Sequence, residues 1–166
     1  MWVVLPQHTC RGPISMLYKT KAENQIHCLH RYYCWTTLMK RDFEAALKKH
    51  GRCDSSDAKA LVEWSFRFMS GEPGMYMSYW YGGLHVVCEG WNELGLSDPK
   101  VDALLASPNL DLLRLYRNGS FHFQKDYFTH KFTQFQMEPK SVAWVRDLQD
   151  ALGAWFLKWF DDHKTP

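Results

Sequence analysis

Apolar positions recur at intervals of three and four along most of this chain, the spacing that one face of an α-helix produces. From Lys21 to His50, Ile26, Leu29 and Tyr33 open such a stripe, and Phe43, Ala46 and Leu47 close it before Gly51. Ser55-Ser56-Asp57 can cap a second helix with the stripe Ala60, Leu61, Trp64 and Phe68, ending near Gly71. A third is expected from Pro73 or Met75 to Leu94, with Gly82-Gly83 as a weak point and Gly95 as a stop. Ser97-Asp98-Pro99 starts a short helix, Val101 to Ala106, which Pro108 closes. The clearest pattern runs from about Pro139 to Phe160. There Val145, Leu148, Leu152, Trp155 and Trp159 repeat, and Phe156 and Phe160 widen the stripe. Strand signals are few. The pattern predicts an all-α fold, an antiparallel helical bundle. Residues 1–20, with Pro6, Gly12 and Pro13, read as an irregular lead-in to a single domain over 21–166.

Composition narrows what such a bundle does. At 166 residues the chain can bury a core without staples, and 46% apolar with 16% aromatic residues, eight of them Trp, makes that core aromatic-rich. Some of that aromatic surface is available to a cleft or a subunit contact. A net charge of +2 does not coat nucleic acid, so any RNA contact must come from a local patch. The five cysteines (Cys10, Cys28, Cys34, Cys53, Cys88) form no CxxC pair and read as reduced thiols of an intracellular protein. His27, Cys28 and His30 raise the question of a metal. They lack an HExxH pattern or a second ligand cluster, so the expectation is ordinary helix residues and no metal or cofactor. Trp2 to Leu5 is too short an apolar run for a signal peptide or a membrane span, which points to the cytoplasm.

Candidate chemistry concentrates in Arg117-Asn118-Gly119-Ser120-Phe121-His122, between the apolar segment Leu110–Tyr116 and the aromatic run Phe121–Phe128. It combines a permanent cation, an amide and an imidazole, the side chain suited to proton transfer near neutral pH. Asn-Gly is also the strongest short hairpin signal, and Phe121 and Phe123 alternate with polar neighbours as a strand would. Against a hairpin, Leu112, Leu113 and Tyr116 keep helical spacing, Asn109 is a fair cap after Pro108, and no sheet partner is found. Helix is the expectation, since Gly119 inside one costs only about 1 kcal/mol relative to Ala.

These six residues resemble the Rx4-6H motif of HEPN domains, with Asn118 as the polar residue that commonly follows the arginine. Of the eight arginines only Arg117 has a histidine at that spacing. The wider resemblance, over roughly Lys21 to Phe160, is architectural. It implies a compact all-α bundle and, in many members, a metal-independent ribonuclease of toxin–antitoxin, anti-phage or RNA-processing systems. It also implies a homodimer whose composite cleft carries the motif of both chains. Some such toxins carry a tyrosine two positions after the histidine, a target for modification by a partner; Gln124 stands there here.

The implied reaction is RNA transesterification through the 2′-OH, which excludes DNA. His122 is the expected proton-transfer group, imidazole in general titrating near about 6.5. Arg117 would stabilise the charged phosphate, and Asn118 would orient His122 or that phosphate. On a helix Asn118 and His122 share a face, while Arg117 lies about 140° away, so one copy presents a splayed set. Glu89 is a candidate supporting residue, and Arg114, Lys125 and Lys131 are candidate RNA contacts. Lys125, His130 and Lys131 alternate with Tyr127, Phe128 and Phe132, as RNA-stacking segments do, or as an amphipathic segment packing its aromatics inward does. Three alternatives stay open. Arg117 can instead pair with Asp111 or Glu89 beside a half-buried His122. The bundle can bind RNA or a protein partner, such as an antitoxin, without catalysis. It can also hold an apolar ligand among its tryptophans, in a closed pocket away from Arg117.

Overall fold

The computed structural model describes residues 20–163; the N-terminal lead-in expected over residues 1–20 lies almost wholly outside them. Helices follow in the order α1 (Lys21–His50), α2 (Ala58–Ser70), α3 (Glu72–Glu93), α4 (Pro99–Leu105), α5 (Asn109–Phe121), α6 (His130–Met137) and α7 (Ser141–Asp162). Among the described residues there is no strand, so the all-α expectation holds and the Asn118-Gly119 hairpin does not form.

Local chemistry explains where the helices begin. Thr20 and Glu23 cap α1 reciprocally: Glu23 N–H donates to Thr20 Oγ1 at 3.1 Å, and Thr20 N–H donates to Glu23 Oε2 at 2.8 Å. Asp57 caps α2 as the sequence suggests, its Oδ2 accepting from Ala60 N–H at 3.0 Å. Asp98 caps α4 through Lys100 and Val101, with Pro99 in the first turn. One cap differs from expectation. Pro108 occupies the N-cap of α5, and Asn109 is the first helical residue, with its side chain buried.

The long α3 is the hub. Leu29 of α1 packs over Gly90, Thr36 over Gly83 and Phe43 beside Trp80, so α1 and α3 run antiparallel along most of their lengths. Gly82-Gly83 therefore does not weaken α3. A Cβ at Gly83 would sit 2.7 Å from Thr36 Cγ2, and one at Gly82 would strike the Phe121 ring, so both glycines mark close helix approaches. On another face α5 packs against α3, Phe121 lying by Tyr79 and Gly82, and Tyr116 by Ser78 and Tyr81. From α7, Trp159, Phe156 and Gln149 meet His27, Tyr33 and Thr37 of α1 in turn, again antiparallel.

Leu84, Val87, Cys88 and Trp91 of α3, Leu113 and Tyr116 of α5, and Val145, Leu148, Leu152 and Phe156 of α7 fill the core. The core is not wholly apolar. Trp80 Nε1–H donates to Gln149 Oε1 at 2.6 Å, and Gln149 Nε2–H donates to the hydroxyls of Thr37 and Thr36 at 2.9 and 3.3 Å. This satisfied network ties α3, α7 and α1 at fixed register.

Candidate functional site

Five of the six motif residues extend α5, and the sixth does not. Gly119 fits inside the helix because α6 passes close by: a Cβ there would lie 3.0 Å from Lys131 Cβ and 3.3 Å from the Phe132 ring. His122 is the C-cap, extended at φ −121° and ψ 136°, its N–H donating to Asn118 O at 3.3 Å. The expectation that Asn118 and His122 share a helical face is thus corrected. The helix stops one residue too early to set the His122 side chain by its periodicity.

Arg117 is half-buried, and its Nη1–H donates to Asn118 Oδ1 at 3.1 Å. Neither carboxylate considered from the sequence takes its charge. Asp111 pairs with Arg114 at 3.0 Å, and Glu89 lies 3.6 Å from His85 Nδ1. Among the described residues no salt bridge reaches Arg117. A permanent cation held by a neutral amide keeps its charge available to an anion.

Arg117 and His122 open onto different recesses. Arg117 lines a groove of about 390 Å³ between α1, α3 and α5, walled by Tyr32, Trp35, Leu38, Tyr79 and Phe121 and floored by Gly82 and Gly83. His122 is exposed and lines a second recess of about 440 Å³ with Ser120, Phe123, Gln124 and Tyr127, its carbonyl accepting from Gln124 Nε2–H at 2.6 Å. One chain does not close an Arg–His pair.

Beside Arg117 sits a residue that sequence reading passed over. His85 is 4% exposed, and its Nδ1 has no hydrogen-bond partner, Glu89 Oε2 stopping short at 3.6 Å. Burial pushes its pKa below the ordinary 6.5; the Arg117 and Arg114 charges push the same way, and Glu89 pulls back. The neutral form of the ring is thereby favoured over the charged one. Glu89, with its side chain 55% exposed, lies one helical turn from His85 on α3. The signal in sequence was the spacing His85-x3-Glu89 inside a helix.

The remaining candidates are dispersed. Arg114 is exposed and paired with Asp111, Lys125 is exposed in the segment after α5, and Lys131 is half-buried on α6. The segment only partly packs inward: Phe132 is half-buried on α6, whereas Tyr127 and Phe128 precede that helix and are exposed, Tyr127 stacking on Phe66 at 4.5 Å. His27 and His30 pack against Trp159, Phe156 and Phe160, and no group of three metal-ligating side chains forms among the described residues. Among those residues Cys28, Cys34, Cys53 and Cys88 are unbridged, and no helix is long and apolar enough to cross a membrane. A third recess of about 400 Å³, away from Arg117, lies among Phe43, Trp64, Phe68, Trp80 and Phe135, with Arg146 in its lining. It is a half-open cleft rather than a closed pocket.

Comparison with protein-family models, with curated proteins and with solved structures finds no match to this chain. The class that fold and site define is an all-α helical bundle over the described residues, with an arginine, beside an aromatic groove, that forms no salt bridge among those residues.

Proposed function

We propose that this chain is a HEPN-like, metal-independent endoribonuclease that works as a homodimer in a toxin or anti-phage defence setting. The observation that carries this reading is the half-buried Arg117 guanidinium, which no carboxylate among the described residues neutralises and which a neutral amide orients. In the proposed reaction His122 removes the proton of the 2′-OH. The 2′-oxygen then attacks the adjacent phosphorus, the bond to the 5′-oxygen breaks, and that oxygen takes a proton. Products are a 2′,3′-cyclic phosphate and a 5′-hydroxyl. Arg117 stabilises the charge on the non-bridging oxygens, where a fixed cation favours the transition state. Because His122 and Arg117 of one chain open onto different recesses, the His122 that meets Arg117 is supplied by the second copy.

The test is RNA cleavage in EDTA by the protein, by Arg117→Ala, by His122→Ala and by a reannealed mixture of the two variants. Each variant alone should be inactive. In the mixture half of the dimers are mixed and hold one intact site of two, so about a quarter of the activity should return. Equal cleavage by all samples would mean a contaminating nuclease.

One observation favours a second reading, a non-catalytic module that binds RNA or a protein such as an antitoxin. The helix ends before His122, so nothing in α5 fixes the imidazole relative to Arg117. That reading expects no cleavage from any mixture, with RNA binding still weakened by Arg117→Ala.

A further inference from the structure

The groove beside Arg117 has a composition that neither a core nor an ordinary surface explains. On its α1 wall Tyr32 and Trp35 stand edge to face, ring centroids 5.2 Å apart, and are 37% and 52% exposed. Opposite them Tyr79 and Phe121 stand edge to face at 5.6 Å and are 54% and 48% exposed. Among the described residues Arg117 is the only charged side chain in the lining, which contains no carboxylate from them. At the outer edge the Arg31 guanidinium lies over the Tyr32 and Trp35 rings, 5.5 and 5.4 Å from their centroids. The groove is thus an aromatic slot with cations at two places on its border.

Charge separates the candidate occupants. A hydrocarbon would cover the rings and leave Arg117 desolvated without a counter-ion. A second copy packed over the aromatic walls would bury the arginines of both copies with no carboxylate in the lining to meet them, so the partner that brings its His122 to Arg117 reaches only the arginine end and leaves the slot open. A planar anion satisfies both features, because a heterocycle stacks on the rings and its charge meets the guanidinium. The volume of about 390 Å³ lies in the range of about 300–1,000 Å³ common to ligand sites.

We propose that this groove binds an unpaired base of single-stranded RNA between Trp35 and Tyr79, with the neighbouring phosphate on Arg117. The inference rests on the RNA reading of the motif but not on its catalysis. It makes the groove the subsite that holds a strand beside the arginine, and it requires unpaired bases, since a duplex cannot offer a base face to the slot.

The experiment uses the intact protein and a short 2′-O-methyl oligoribonucleotide carrying 2-aminopurine, which the proposed reaction cannot cleave. Stacking should quench the 2-aminopurine. Trp35→Ala and Tyr79→Ala should each weaken binding about tenfold or more, the loss that one base–aromatic stack carries. A duplex of the same sequence should show no quenching. Both rings are half exposed, so unchanged thermal unfolding should accompany these losses. Leu157→Ala, on α7 and outside the groove, should bind as the unaltered protein does. Unchanged affinity in both groove variants, or equal binding of duplex, would overturn the proposal. So would conversion of a dimer to monomers at constant affinity per chain, which would make the groove a subunit contact. Quenching without cleavage of ordinary RNA defeats the nuclease reading alone; cleavage without quenching defeats this inference alone.

Discussion

Arg117 Nη1–H donates to Asn118 Oδ1 at 3.1 Å, so the motif's amide holds the motif's cation. Asn118 is thereby assigned a positioning role toward Arg117, and salt dependence separates the two residues. Replacing Arg117 with Ala removes a charge, so the slope of log K against log salt for single-stranded RNA should become shallower by about 0.7 per lost phosphate contact. Asn118→Ala keeps the charge and loses only its orientation. Its affinity should fall severalfold with the slope unchanged, as titrations at several salt concentrations would show. A shallower slope for Asn118→Ala would remove that assignment.

His85 makes the fold acid-sensitive. Its folded-state pKa is lowered by burial, with Arg117 and Arg114 adding to that shift and Glu89 opposing it. The unfolded chain, where histidine titrates near about 6.5, therefore binds the proton first. Stability is fully present above about pH 6.5 and is lost as pH falls toward the lower folded value. His30 contributes in the same direction, through burial and then the charge of His27. The melting temperature should drop between pH 7.5 and pH 5, and His85→Gln should flatten that drop by removing one of the two groups. Glu89→Gln should deepen it, because the carboxylate is what raises the His85 pKa. Thermal melts across this pH range check all three.

The Trp80–Gln149–Thr37 chain of hydrogen bonds gives a sharper stability test than any apolar contact. Gln149→Leu keeps most of the volume but leaves the buried Trp80 indole N–H without an acceptor. That orphaned donor should cost about 1–3 kcal/mol, measured by urea unfolding. Trp80→Phe combined with Gln149→Leu removes both partners, so part of the loss should be recovered in the double variant, beyond what the cavity left by the indole takes back.

Legibility from sequence followed how local each feature is. The long helices were readable because Ile26, Leu29 and Tyr33, or Leu148, Leu152 and Phe156, repeat at the period that packing enforces. Burial follows that repeat only loosely, since Tyr33 and Trp155 end half-buried. The Gly82-Gly83 pair was misread as a weakness because its partners, Phe121 and Thr36, lie far away in the chain. His122 was placed on the helix because the pattern carries no mark of where α5 ends. His85 went unnoticed because its burial, and the lesser effect of the Arg117 and Arg114 charges, come from how the helices pack. Tyr32, Trp35 and Tyr79 carry no mark in the sequence that assigns them to core or to surface. Only the order in which helices pack decides that they line an open groove.

The two adjacent glycines of α3 should respond oppositely to the same substitution. Alanine gains about 1 kcal/mol of helix propensity over glycine at either site. At Gly83 the new Cβ would lie 2.7 Å from Thr36 Cγ2, and Thr36 is 1% exposed, β-branched and bonded to the core network. It cannot yield, so overpacking of about 1–3 kcal/mol should outweigh the propensity gain. At Gly82 the clash is with the far edge of the Phe121 ring, which is 48% exposed and free to swing toward solvent. Gly82→Ala should therefore leave stability nearly unchanged or slightly raised. Its cost falls on the groove, whose Tyr79–Phe121 wall is displaced, so the 2-aminopurine oligonucleotide should bind several-fold more weakly. Urea unfolding and oligonucleotide titration of the two variants, run side by side, test this. Equal destabilisation by both substitutions would show that Phe121 is held as firmly as Thr36, and the groove would then be a rigid wall rather than an adjustable one.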